Sequence, residues 1–224
     1  MGSFDRFRQP EIPAWAGEIF EDGLSWRDTA PRLRVQLHSD QRLEAATFSL
    51  ARNIADDLWL AVVLDQDTAI LSITETMYLA WQQPADVVFE RAIANLRAAV
   101  PAVLEHDPEL PPPLVLSSND SDYSSAAMYL DLPRIVGSTS HGALVMFPTR
   151  FTTAILPIDG QLSVEPVNTM LSGGQGLFIE GEGPLTPNLY WWRAGTLQHI
   201  PVITSKHIAA VVWPRELQML MQTN

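Results

Sequence analysis

The sequence predicts an α+β protein built from antiparallel sheets with packed helices, in one or two sub-domains. Three observations carry this. Strand patterns cluster over 32–74 with turns rather than helices between them, and one long amphipathic helix follows at 85–100. After that, strands and helices do not alternate as βαβ units, which disfavours a doubly wound parallel sheet.

The first 30 residues scatter Phe4, Phe7, Trp15, Ile19 and Phe20 among charges, and Pro10 and Pro13 leave an irregular start with one short helix near 13–21. Pro31 opens the strand region. In RLRVQLHS, Leu33, Val35 and Leu37 alternate with polar residues, the period of a half-buried strand. Residues 44–50 are a second candidate strand. The run 57–64 is a third, and the lack of alternation in LWLAVVLD (58–65) predicts a central strand covered on both faces. Asp65-Gln66-Asp67 then turns the chain into TAILSIT (68–74), so 32–74 is expected to be an antiparallel meander.

Pro84 and Asp86 mark a helix start. Val88, Ile93, Leu96 and Val100 make one apolar stripe up to Pro101. EHDPELPPP (105–113) is a rigid polar connector dividing an N-terminal half, 1–104, from a C-terminal half, 114–224. The second half reads as strand 114–117, helix 123–131, and strands 142–147 and 151–158 around Pro148. Residues 163–180 read equally as helix or loop because of Gly173, Gly174 and Gly176. LYWWRAGTLQHIPV is a hairpin turning at Ala194-Gly195, strand 208–213 stops at Pro214, and RELQMLMQ closes as a short helix.

Composition narrows the function. The chain has 224 residues, 46% hydrophobic and 18% charged, ordinary values for a folded globular protein. Its 26 acidic and 14 basic residues give a net charge of -12, with no basic cluster. Such a surface repels phosphate backbones and anionic lipid, so neither nucleic acid nor membrane is expected as a partner, and basic partners, or none, are favoured. There is no cysteine, which removes disulfides, thiolate nucleophiles and Cys-ligated metals. The N-terminus lacks the apolar core of a signal peptide and no 18 apolar residues run together, so the expected location is cytoplasmic.

No motif assembles a complete catalytic site. Residues 171–175 spell LSGGQ, the signature string of transporter ATPases, but no GxxxxGK[ST] phosphate loop accompanies it, and Gly173-Gly174 reads as a helix end or turn. In SSNDSDYSS (117–125), Asp120, Asp122, Ser124 and Asp131 fall at the first, third, fifth and twelfth places of a calcium loop. Ser125 stands where such a loop needs glycine, and Asp131 where it needs glutamate. The simpler reading is an Asx-turn with Ser121 or Asp122 as N-cap. His38, His106, His141, His199 and His207 have no zinc-site spacing, and His141 beside Ser138 and Ser140 lacks a nucleophile elbow. Asp56-Asp57 and Glu180/Glu182 read as solvated turns. Neither metal nor cofactor is expected. Trp191 and Trp192 should point to opposite faces of a strand, one into the core and one toward solvent or a partner, making 188–201 the favoured binding edge.

Four blocks in the same order resemble the YtpQ-like bacterial family, whose function is not established: AIANLR (92–97), SNDSDYSSAAMYLD (118–131), GALVMFPTRFTTAILPI (142–158) and LYWWRAGTLQHIPV. They span about residues 90–202. The second block resembles an Asn-Asp-Gly-Tyr-Asp-Ala-Ser segment leading into a helix, which draws attention to Asn119, Asp120 and Tyr123. The family carries an acid shortly after a valine–proline step, whereas Pro148 is followed here by Thr149, Arg150 and Phe151. The resemblance implies a bacterial, intracellular protein and carries no activity. The expectation is therefore a non-catalytic protein-binding or regulatory module using Trp191 and Trp192. The alternative is an enzyme in the cleft between the halves, with Asp120, Asp122 and Tyr123 as its core and Arg134 or Arg150 holding an anion. A homodimer joined at a sheet edge is a third reading.

Overall fold

A computed structural model describes residues 25–40, 50–66, 69–102, 115–118, 121–137, 139–205 and 208–221. It is α+β. The chain divides into two compact units, Met1–Pro101 and Ala102–Asn224. The expected helix near 13–21, the expected strand over 44–49 and the connector 105–113 lie outside the described residues, as do Asn119, Asp120, His106 and His207. No helix among the described residues is long and apolar enough to cross a membrane.

The first unit is built around one strand. After α1 (Trp26–Thr29) and a 3-10 turn (Ala30–Arg32) come β1 (Leu33–Ser39), β2 (Ala51–Ala55), β3 (Leu58–Gln66) and β4 (Ala69–Ser72). All of β1 pairs antiparallel along one edge of β3, from Leu33 opposite Leu64 to Ser39 opposite Leu58. The other edge is shared end to end. β2 takes Leu58–Ala61 and β4 takes Val63–Gln66. Leu58 and Leu60–Leu64 are all buried, as the unbroken apolar run requires of a central strand.

The strand order is not the simple meander expected of 32–74, because β1 lies beside β3 and not β2, and two elements also differ from expectation. The alternation in β1 implied one wet face, yet Gln36 and His38 are buried along with Leu33, Val35 and Leu37. Alternation shows only that successive residues face opposite ways and cannot distinguish a covered polar position from an exposed one. A helix that the apolar pattern did not announce, α2 (Glu75–Trp81), follows β4. Its signal is local: the Thr74 hydroxyl accepts from the Met77 N–H (3.2 Å) and Glu75 occupies the first turn. Helix α3 (Ala85–Ala99) forms where its stripe predicted, but it buries Val88, Phe89, Ala92 and Leu96 and leaves Ile93 and Val100 half-buried. Asn95 Nδ2 donates to the carbonyls of Ala30 (2.7 Å) and Leu33 (3.0 Å), fastening α3 to the start of β1.

The second unit is a five-stranded antiparallel sheet, ordered β5-β7-β6-β8-β9. Its strands are β5 (Val115–Ser118), β6 (Ala143–Met146), β7 (Thr152–Pro157), β8 (Leu189–Arg193) and β9 (Thr196–Ile200), with α4 (Ser124–Val136) between β5 and β6 and α5 (Val164–Glu180) between β7 and β8. Leu144, Met146, Ala154, Leu156, Leu189 and Trp191 face a core completed by Val167, Met170 and Leu171 of α5. The opposite face receives α4, whose Ser125 Oγ accepts from Thr153 Oγ1 (3.2 Å). A two-stranded ribbon, β10 (Val202–Ser205) with β11 (Ile208–Val211), and α6 (Arg215–Met221) end the description.

Here the sequence reading needs two corrections. Residues 164–180 form one continuous helix, so Gly173-Gly174 is neither a helix end nor a turn. Gly174 is buried against Met146, which supplies a packing reason for a residue of poor helix propensity. Helix α4 also runs through Pro133 to Val136, five residues past the expected end.

Candidate functional site

Asp122, Tyr123 and Arg150 are placed by three segments that meet beyond one end of the sheet: the entry to α4, the β6–β7 connection at 147–151, and the α5–β8 connection at 181–188. Backbone bonds join them. The Ser125 N–H donates to the Arg150 carbonyl (3.0 Å), and the Arg150 N–H to the Gly183 carbonyl (2.9 Å). Leu185 N–H donates to Pro148 (2.9 Å) and Thr186 N–H to Phe147 (3.2 Å).

On this frame Arg150 Nη1 meets Asp122 Oδ1 at 2.9 Å; the side chains are 25% and 38% exposed. Asp122 is thus an ion-pair partner and not the N-cap of α4. The N-cap position belongs to Tyr123, which makes no side-chain cap bond. Ser121 instead forms a small turn, its hydroxyl accepting from the Tyr123 N–H (3.3 Å) and its carbonyl from the Ser124 N–H (2.9 Å). Tyr123 is buried. The Arg150 Nε is buried without a hydrogen-bond partner, beside Gly183. Gly183 has φ +62, and a Cβ there would lie 2.9 Å from Phe151 and 3.0 Å from Arg150 Nε. The guanidinium fits because residue 183 has no side chain.

Beneath the ion pair lies a buried hydroxyl cluster that sequence reasoning missed. The Ser125 hydroxyl donates toward the carbonyls of Thr149 (2.8 Å) and Thr152 (3.1 Å), and Thr149 Oγ1 accepts from the N–H groups of Phe151 (3.2 Å) and Thr152 (3.0 Å). These bonds satisfy backbone groups in a covered connection, as buried polar groups require. Their only sequence signal is the density of Ser and Thr in SSNDSDYSS and PTRFTT.

The other predicted residues are dispersed. Ser124 and Asp131, two places of the hypothetical calcium loop, stand on one continuous helix, a geometry that cannot wrap an ion. Asp131 accepts from Arg134 Nε (2.8 Å) and holds that guanidinium's pKa above its ordinary value. Among the described residues no three acidic or histidine side chains gather in a metal-binding group. His141 contributes backbone: its carbonyl accepts from Trp191 Nε1 (2.8 Å). Asp56-Asp57 forms the β2–β3 turn, and Glu180 and Glu182 are exposed.

Trp191 and Trp192 do point to opposite faces, but both faces are covered, leaving the indoles 6% and 7% exposed. Neither is a solvent-facing anchor. The exposed apolar surface lies just beyond, on the β10–β11 ribbon. Val202 opposite Val211 packs on the core, so the next pairs, Ile203 with Ala210 and Pro201 with Val212, face outward. All four are exposed, Ile203 at 61% and Val212 at 49%. Apolar residues of both parities in IPVITSKHIAAVV were the available signal. No family model, no curated protein and no solved structure matches this chain.

Proposed function

We propose that the protein is a non-catalytic binding or regulatory module that engages another protein through the outward face of the β10–β11 ribbon. The observation that carries this reading is the apolar quartet Pro201, Ile203, Ala210 and Val212 on the face of the ribbon opposite Val202 and Val211, which pack on the core. Two four-residue strands are marginal alone and gain stability from Val202 and Val211. Outward Ile and Val add nothing to that, and a contiguous apolar surface suits a partner. The net charge of -12 favours a basic one. The resemblance to the YtpQ-like family belongs to this reading; its support is the shared order of the four sequence blocks.

The test is affinity capture from the cytosol of the native host with the wild type and an I203E/V212E variant of matched melting temperature. Proteins retained by the wild type and lost by the variant support the ribbon as the binding face. Identical capture by both, or turnover of a small substrate by the protein alone, overturns it.

A second reading, an enzyme with a small-molecule or metal site at Asp120, Asp122 and Tyr123, draws on the partial exposure of the Asp122–Arg150 pair. A thermal-shift screen against divalent metals, nucleotides and metabolites separates the two. A ligand at about 100 times its Kd adds roughly 2.7 kcal/mol. A hit abolished by Asp122→Ala favours the enzyme, and a hit unaffected by it counts against that site.

A further inference from the structure

We draw no further inference here: the strongest candidate, the apolar outward face of the β10–β11 ribbon, already carries the proposed function, and nothing in the structure shows what covers it.

Discussion

A Cβ built on Gly174 would fall 2.5 Å from the Cε of Met146 and 2.8 Å from its Sδ, so α5 rests on β6 at a separation that suits glycine. Gly173 and Gly176, on the same helix, face open space. The three alanine variants should therefore divide. Gly173→Ala and Gly176→Ala each stabilise by about 0.5–1 kcal/mol, because alanine restricts the unfolded chain and favours helix. Gly174→Ala should gain less than either, since the Met146 thioether is fully buried and must shift to admit the methyl. Equal shifts of melting temperature in all three would refute the close approach.

The β8–β9 turn places Ala194 at φ 49 and Gly195 at φ 82. Both central residues of such a two-residue turn need left-handed backbone, and Asn-Gly suits it best. Ala194→Asn should stabilise by about 0.5–1 kcal/mol, while β-branched Ala194→Val should destabilise. Denaturant midpoints at unchanged slope measure both, and the reverse order would contradict the turn assignment.

At the junction of the three connections, the hidden hydroxyl should outweigh the visible charge pair. Asp122→Asn removes a partly exposed ion pair and is expected to cost less than about 1 kcal/mol. Ser125→Ala removes a buried donor to two carbonyls and is expected to cost about 1–3 kcal/mol. Chemical denaturation of both variants decides. A larger loss for Asp122→Asn would make the ion pair the principal tie.

Burial raises the pKa of Tyr129 above its ordinary 10.0. Tyr78 is raised by burial first and then by the negative charge of Asp86. A raised folded pKa means stability that is intact below the unfolded value and lost as pH climbs through the folded one. Absorbance titration at alkaline pH should show Tyr78 and Tyr129 ionising later than in denaturant. Asp86→Asn should bring Tyr78 down and leave Tyr129 in place. Superimposable native and denatured curves would rule this out.

Much of the fold was legible because its signals are local. The unbroken run of β3, the stripe of α3 and the Ala194-Gly195 turn each state their structure in consecutive residues. Helix α5 was not legible: three glycines argue against a helix unless one knows that Met146, far away in sequence, fills the space above Gly174. The site was legible only as composition. Sequence shows Asp122 and Arg150 as isolated charges, and their pairing depends on two connections that the sheet brings together. The tryptophans failed for a related reason: alternation tells that two residues face opposite ways, but not whether both sides are covered. Ile203 and Val212 are the converse, apolar residues that the ribbon turns outward.

The strand order of the second unit also bears on how it assembles. β6 with β7 and β8 with β9 are neighbours along the chain and close over short connections. Val145 and Tyr190 sit side by side, yet the whole of α5 lies between them in the chain. Closing that loop takes more chain entropy than closing either hairpin, and non-local pairings slow the search. The two hairpins can thus form independently, and the seam between β6 and β8, in the middle of the sheet, is the join that waits for the helix.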